Sequence, residues 1–124
     1  MIIEKGKIKN TVINLERMNI TDSFLMFLAN CDKMLHIVNL NLSYCKNLTD
    51  NGLQSLFASP LCKNIMSLKI SGLPLVDFTF IKFKKELKEL QINHCTLTEE
   101  ELNVSDWKLE RLEAIGVNIK LHLP

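Results

Sequence analysis

Apolar and polar positions along this chain fall into one recurring figure. Ile37-x-x-Leu40-x-Leu42-x-x-Cys45 is followed by Leu48-Thr49-Asp50 and then by Leu53-x-x-Leu56. Downstream, Leu87-x-x-Leu90-x-Ile92-x-x-Cys95 repeats it, with Leu97-Thr98-Glu99 and Leu102 behind. Between them, Ile65-x-x-Leu68-x-Ile70-x-x-Leu73 keeps the spacing with leucine in the cysteine slot. Upstream, Ile13-x-Leu15-x-x-Met18 precedes Ile20-Thr21-Asp22, Leu25 and Leu28, and Leu109-x-x-Leu112-x-Ala114-x-x-Val117 is a weaker fifth copy. The aligned positions 13, 40, 68, 90 and 112 lie 27, 28, 22 and 22 residues apart, within the range of stacked structural repeats.

Each part of the figure predicts an element. Side chains alternate across a strand, so the two apolar residues of Leu-x-Leu share one face of a short strand. The residue three further on turns back beneath the sheet. Thr-Asp marks a helix start, where a side-chain oxygen accepts from a first-turn N–H; Thr98-Glu99-Glu100-Glu101 has capping-box spacing. Leu25 with Leu28, and Leu53 with Leu56, are spaced three apart on a helix face that packs onto the strands. The shorter later units leave room for a turn or one helical turn, with Phe78, Phe80, Ile81 and Phe83 filling that side. One unit cannot bury its own apolar face; a stack can.

With Cys31 and Cys62 closing two helices, LxxLxLxxC…LTDxxLxxL resembles the cysteine-containing class of leucine-rich repeats, found in F-box proteins and related regulators. The resemblance covers about residues 12 to 117. It implies an α/β fold: a short right-handed leucine-rich repeat solenoid of about five strand units, with a parallel concave sheet and helices or turns on the convex side. The chain is then one domain, 1–124, with an N-terminal cap (1–11), repeats (12–117) and a C-terminal edge (118–124). The function implied is non-catalytic: a protein–protein interaction module or a structural subunit of a larger complex. Adaptor work in ubiquitin ligation or cell-cycle regulation is the alternative by similarity to F-box-type repeats, although no segment resembles an F-box. A partial likeness in KNIMSLKISGLPLV is to small mitochondrial repeat proteins related to ATP synthase coupling factor B, which implies an assembly factor.

Composition narrows the partners. The chain has 47% hydrophobic and 23% charged residues, as a folded domain does, and a formal charge of +1 that gives no field for nucleic acid or anionic membrane. Arginine occurs only at Arg17 and Arg111, against an arginine-built phosphate site. No apolar run reaches the ~18 residues of a membrane span, and MIIEKGKIKN has no signal-peptide h-region. The expected compartment is cytoplasmic or otherwise intracellular, with mitochondria left open, and Cys31, Cys45, Cys62 and Cys95 are expected as reduced thiols.

Cys45 and Cys95 share their slot with Met18, Leu73 and Val117, which reads as a small apolar pocket rather than a nucleophile. His36, His94 and His122 are too dispersed for paired zinc ligands, and Gly52, Gly72 and Gly116 lack phosphate-loop spacing, so neither metal nor other cofactor is expected. KFKKELK, residues 82–88, reads as a solvated face.

The concave sheet then carries the function. Its outward row is Asn14, Asn41, Lys69, Gln91 and Glu113. One flank is Val12, Asn39, Ser67, Glu89 and Arg111, and the other is Glu16, Ser43, Ser71, Asn93 and Ile115. The candidate partner-binding residues are Asn14, Asn39, Asn41, Ser43, Tyr44, Lys69, Gln91, Asn93, His94 and Glu113, with Tyr44 and His94 as rim contacts. At the ends, Ile2, Ile3 and Ile8 among Lys5, Lys7 and Lys9 form a covering strand. Val117, Ile119, Leu121 and Leu123 form an apolar edge strand open to docking by another subunit.

Overall fold

Short alternating segments become strands only where a neighbouring strand completes their hydrogen bonds. In the computed structural model, which describes residues 9–31, 35–74, 77, 84, 86–97, 101–118 and 120–123, the elements run β1 (Lys9–Asn14), α1 (Asp22–Ala29), β2 (Leu35–Asn41), α2 (Asp50–Phe57), a 3₁₀ turn (Pro60–Cys62), β3 (Ser67–Lys69), β4 (Glu89–Gln91), β5 (Glu101–Asn103), β6 (Arg111–Glu113) and β7 (Lys120–His122). The fold is α/β, with a five-stranded parallel sheet of order β1-β2-β3-β4-β6. Ile13 pairs with Leu40, Leu40 with Leu68, Leu68 with Leu90, and Leu90 with Leu112.

This register puts Leu40, Leu68 and Leu90 in one row beneath the sheet and Leu42, Ile70 and Ile92 in the next, all buried. Leu25 of α1 and Leu53 and Leu56 of α2 belong to the same core. Each such side chain contributes about 1.5–3 kcal/mol by leaving water. At the two sheet ends the rows are only half-buried, at Ile13, Leu15, Leu112 and Ala114, where each end strand has one strand neighbour among the described residues.

The helices start at Thr21 and Thr49, which have extended backbones (φ −118° and −121°), but neither side chain caps the first turn. Asp22 reaches to the next segment instead: its Oδ1 accepts from the Thr49 N–H at 2.9 Å, and the Thr49 hydroxyl donates to its Oδ2. Asp50 repeats the link, accepting from the Asp77 N–H at 3.2 Å. The expected cap oxygen is therefore spent between segments. Helices of eight residues gain little alone and depend on this packing.

The C-terminal third departs from expectation. A strand, β5, runs at Glu101–Asn103, just where capping-box spacing pointed to a helix start; β5 pairs in parallel with β7 as a separate two-stranded sheet. The edge expected to be open is thus paired within the chain on one side: Leu121 faces Leu102 and is half-buried, Val117 is half-buried, and Leu123 stays exposed. Val104 and Trp107, which no sequence pattern singled out, are buried here. In β2, His36 is buried as well, and its Nδ1 lies 2.9 Å from the Asn64 amide nitrogen. Met18, placed by alignment in the cysteine pocket, is 50% exposed; among the described residues no strand lies beyond β1. The residues expected to form the N-terminal cap (Ile2, Ile3, Lys5, Lys7, Ile8), the phenylalanine cluster (Phe78, Phe80, Ile81, Phe83), Thr98 to Glu100 and Ile119 lie outside the described residues.

If the leucine row is the core, Leu68→Ala lowers unfolding free energy by about 2–5 kcal/mol in urea denaturation. Ile115→Ala, at an exposed position, changes it by less than about 0.5 kcal/mol. Equal small losses at both sites contradict this core assignment.

Candidate binding face of the sheet

The outward face is built by hydrogen bonds that continue past the strand ends. Leu42 and Tyr44 donate N–H to Lys69 O and Ser71 O; Ile70 and Gly72 donate to Gln91 O and Asn93 O; Ile92 and His94 donate to Glu113 O and Ile115 O, all at 2.7–2.9 Å. The turn then presents N–H groups to the preceding segment, which supplies side-chain acceptors. Ser43 Oγ accepts from Ser71 N–H, Ser71 Oγ from Asn93 N–H, each at 3.0 Å, and Asn93 Oδ1 from Ile115 N–H at 2.9 Å. This corrects the exposure expected for one flanking row. Ser43 is 1% exposed and Ser71 3%, because their hydroxyls fill the inter-strand gap. Ser43 and Asn93 hold neighbouring turns together.

Four residues after each aligned apolar position the backbone is left-handed: Arg17 (φ 61°), Tyr44 (61°), Gly72 (69°), His94 (58°) and Gly116 (70°). Non-glycine residues bear a cost of roughly 1–2 kcal/mol there. The column is also stacked. The Arg17 guanidinium sits 4.3 Å from the Tyr44 ring centroid, and the Tyr44 ring lies where a Cβ on Gly72 would go. His94 covers Gly116 in the same way, with Nδ1 2.7 Å from an added Cβ. Tyr44 and His94 therefore pack on the glycine of an adjoining turn, beside the face. The signal for this was the shared offset from Leu40 to Tyr44 and from Leu68 to Gly72.

The central row divides into two halves. At one end Arg111, Gln91 Nε2 (2.6 Å) and Asn93 Nδ2 (3.2 Å) all donate to the Glu113 carboxylate. The Arg111 hydrogen bond foremost, then Gln91 and Asn93, hold the Glu113 carboxyl down at about 2. At the other end Asn14, Asn39 and Asn41 border an open groove of about 530 Å³, with Lys69, Lys88 and Arg111 further along. Of the predicted residues, the groove brings together Asn14, Asn39, Asn41 and Lys69. Gln91, Asn93 and Glu113 form the polar cluster, and Ser43, Tyr44 and His94 belong to the turns.

The thiols face the other way. Cys45 Sγ donates to Leu15 O and Cys95 Sγ to Ile70 O, both at 3.0 Å, so each cysteine ties its turn to the preceding strand. Burial raises both thiols' pKa, and it pushes Cys62 up to about 12. All three stay protonated near neutral pH, as a donor must be and a nucleophile is not. Lys84, expected on a solvated face, is half-buried and donates from Nζ to Cys62 O at 3.2 Å, and burial lowers its pKa. Among the described residues no group of three or more His, Cys, Asp or Glu could hold a metal ion, and no helix is long and apolar enough to cross a membrane. No family model matches the chain, and no curated protein or solved structure matches it at a significant level.

Gly72→Ala places a Cβ against Tyr44 at left-handed φ, and it is expected to destabilise by about 1–3 kcal/mol. In a double-mutant cycle Tyr44→Ala recovers the overlap and leaves the backbone cost; strictly additive losses refute the contact. Glu113 should titrate near 2 by NMR, and Gln91→Ala should move it up. Its lowered value favours the folded state above the ordinary pKa of about 4.5, and this contribution fades as pH falls through about 2. A Glu113 midpoint near 4.5 contradicts the cluster.

Proposed function

We propose that this chain is a short leucine-rich repeat solenoid that works as a non-catalytic binding module or structural subunit, holding a protein partner on the outward face of its parallel sheet. The observation that carries the reading is the one-sided cover of that sheet. Leu25, Leu53, Leu56 and the 3₁₀-turn residues Leu61 and Cys62 all join the core on one side. The other side keeps a polar face with an open groove of about 530 Å³. Pairing of Ile13, Leu40, Leu68, Leu90 and Leu112 in one register supports the solenoid, as does the column of left-handed turns. Stacked units with an extended, uncovered sheet are built to present surface. Protonated, buried thiols support a packing role for the cysteines.

The test is affinity purification with mass spectrometry on the full chain and three folded variants. Asn39→Glu and Asn41→Glu alter the face, and Gln54→Glu alters an exposed position of α2. Both face variants are expected to lower partner recovery by about tenfold or more, with Gln54→Glu at the unaltered level. The same partners recovered from all four proteins contradict the face assignment.

A further inference from the structure

The groove has a chemical bias that the rest of the face lacks. Two of its three asparagine amide oxygens accept a backbone hydrogen bond: Asn14 Oδ1 from the Glu16 N–H and Asn41 Oδ1 from the Ser43 N–H, each at 3.0 Å. Each side chain keeps its NH₂, a pair of donors, for whatever enters. Among the described residues, neither these NH₂ groups nor the Asn39 amide has a partner. The charges lean the same way. Lys69, Lys88 and Arg111 line the groove against Glu89 and Glu110, three cations to two anions. Arg111 is engaged by Glu113, and Lys69 meets Glu89 only at 3.9 Å with its side chain 42% exposed. Lys88 has no ion-pair partner among the described residues. Beside these donors Val12 is 69% exposed and Met66 49%, an apolar shelf on the same groove.

A site with free amide NH₂ groups and an ammonium unpaired among the described residues complements a ligand rich in acceptors. We propose that the groove takes an acidic, extended segment of a partner protein. A carboxylate sits against Lys88 and Lys69, main-chain carbonyls accept from the Asn14 and Asn41 amides, and an aliphatic side chain rests on Val12 and Met66. The inference rests on the binding-module reading and adds the partner's chemistry to it. Phosphates of a nucleic acid also accept hydrogen bonds. The groove lining has no aromatic platform for bases, and a chain of formal charge +1 offers little counterion release.

Fluorescence anisotropy tests it with labelled peptides of one Leu-Ser scaffold, carrying Glu, Gln or Lys at the same positions, and with oligothymidine. The Glu peptide is expected to bind about tenfold more tightly than the Gln peptide and to weaken with added salt. Lys88→Glu and Lys69→Glu, each with an unchanged melting curve, are expected to abolish that preference. Equal binding of the Glu and Gln peptides, preference for oligothymidine, or no binding by any peptide overturns the acidic-segment assignment. Binding that is lost in Asn41→Glu yet indifferent to peptide charge overturns the assignment alone and leaves the face reading standing. Binding indifferent to charge and to all three substitutions overturns both.

Discussion

Every backbone N–H and C=O between neighbouring strands must find a partner, and this constraint organises the whole molecule. A buried donor left unmatched costs about 1–3 kcal/mol, as much as one well-packed side chain contributes. Ordinary parallel pairing meets the requirement over only three residues in β3, β4 and β6. The turns extend it: Tyr44, Gly72 and His94 donate onward to the following segment, while Ser43, Ser71 and Asn93 accept from it. Pairing is thereby continued beyond the ends of the short strands.

The remaining features follow from fixing that register. With Leu40, Leu68 and Leu90 in line, the left-handed turns fall in line too, and bulky Tyr44 must lie over a residue without a Cβ. The cysteine thiols fall beneath a carbonyl of the preceding strand and donate to it. Asp22 and Asp50 meet backbone N–H groups one segment further on. Polar side chains near the turns are consequently structural, and those further back along β1 and β2 keep free donors. The free donors on this face are a remainder, set by which amides the backbone has not already used.

Much of this was legible in the residues, for a physical reason. Apolar spacing encodes strand alternation and register directly, so Ile13, Leu40, Leu68, Leu90 and Leu112 were aligned correctly as strand partners. Helices after Thr21 and Thr49 were equally visible, because α1 and α2 bury leucines three apart in α2 and Leu25 in α1. The exposure of Ser43 was misjudged, since a hydroxyl that fills an inter-strand gap looks like any surface serine until its partner is known. The strand β5 and the burial of Trp107 were hidden because they depend on β7, a pairing with no local signature. Met18 shows the limit of alignment: the slot is apolar only where a preceding strand closes it.

The most direct measurement of the central claim is the set of inter-strand nuclear Overhauser contacts across the sheet. A slip of one residue would turn every core side chain outward, so register and core stand together. The account predicts contacts joining the backbone around Leu40, Leu68, Leu90 and Leu112 in that sequence, with amide protons of Ser71, Asn93 and Ile115 slow to exchange. Contacts displaced by one residue, or rapid exchange at those three amides, would contradict it.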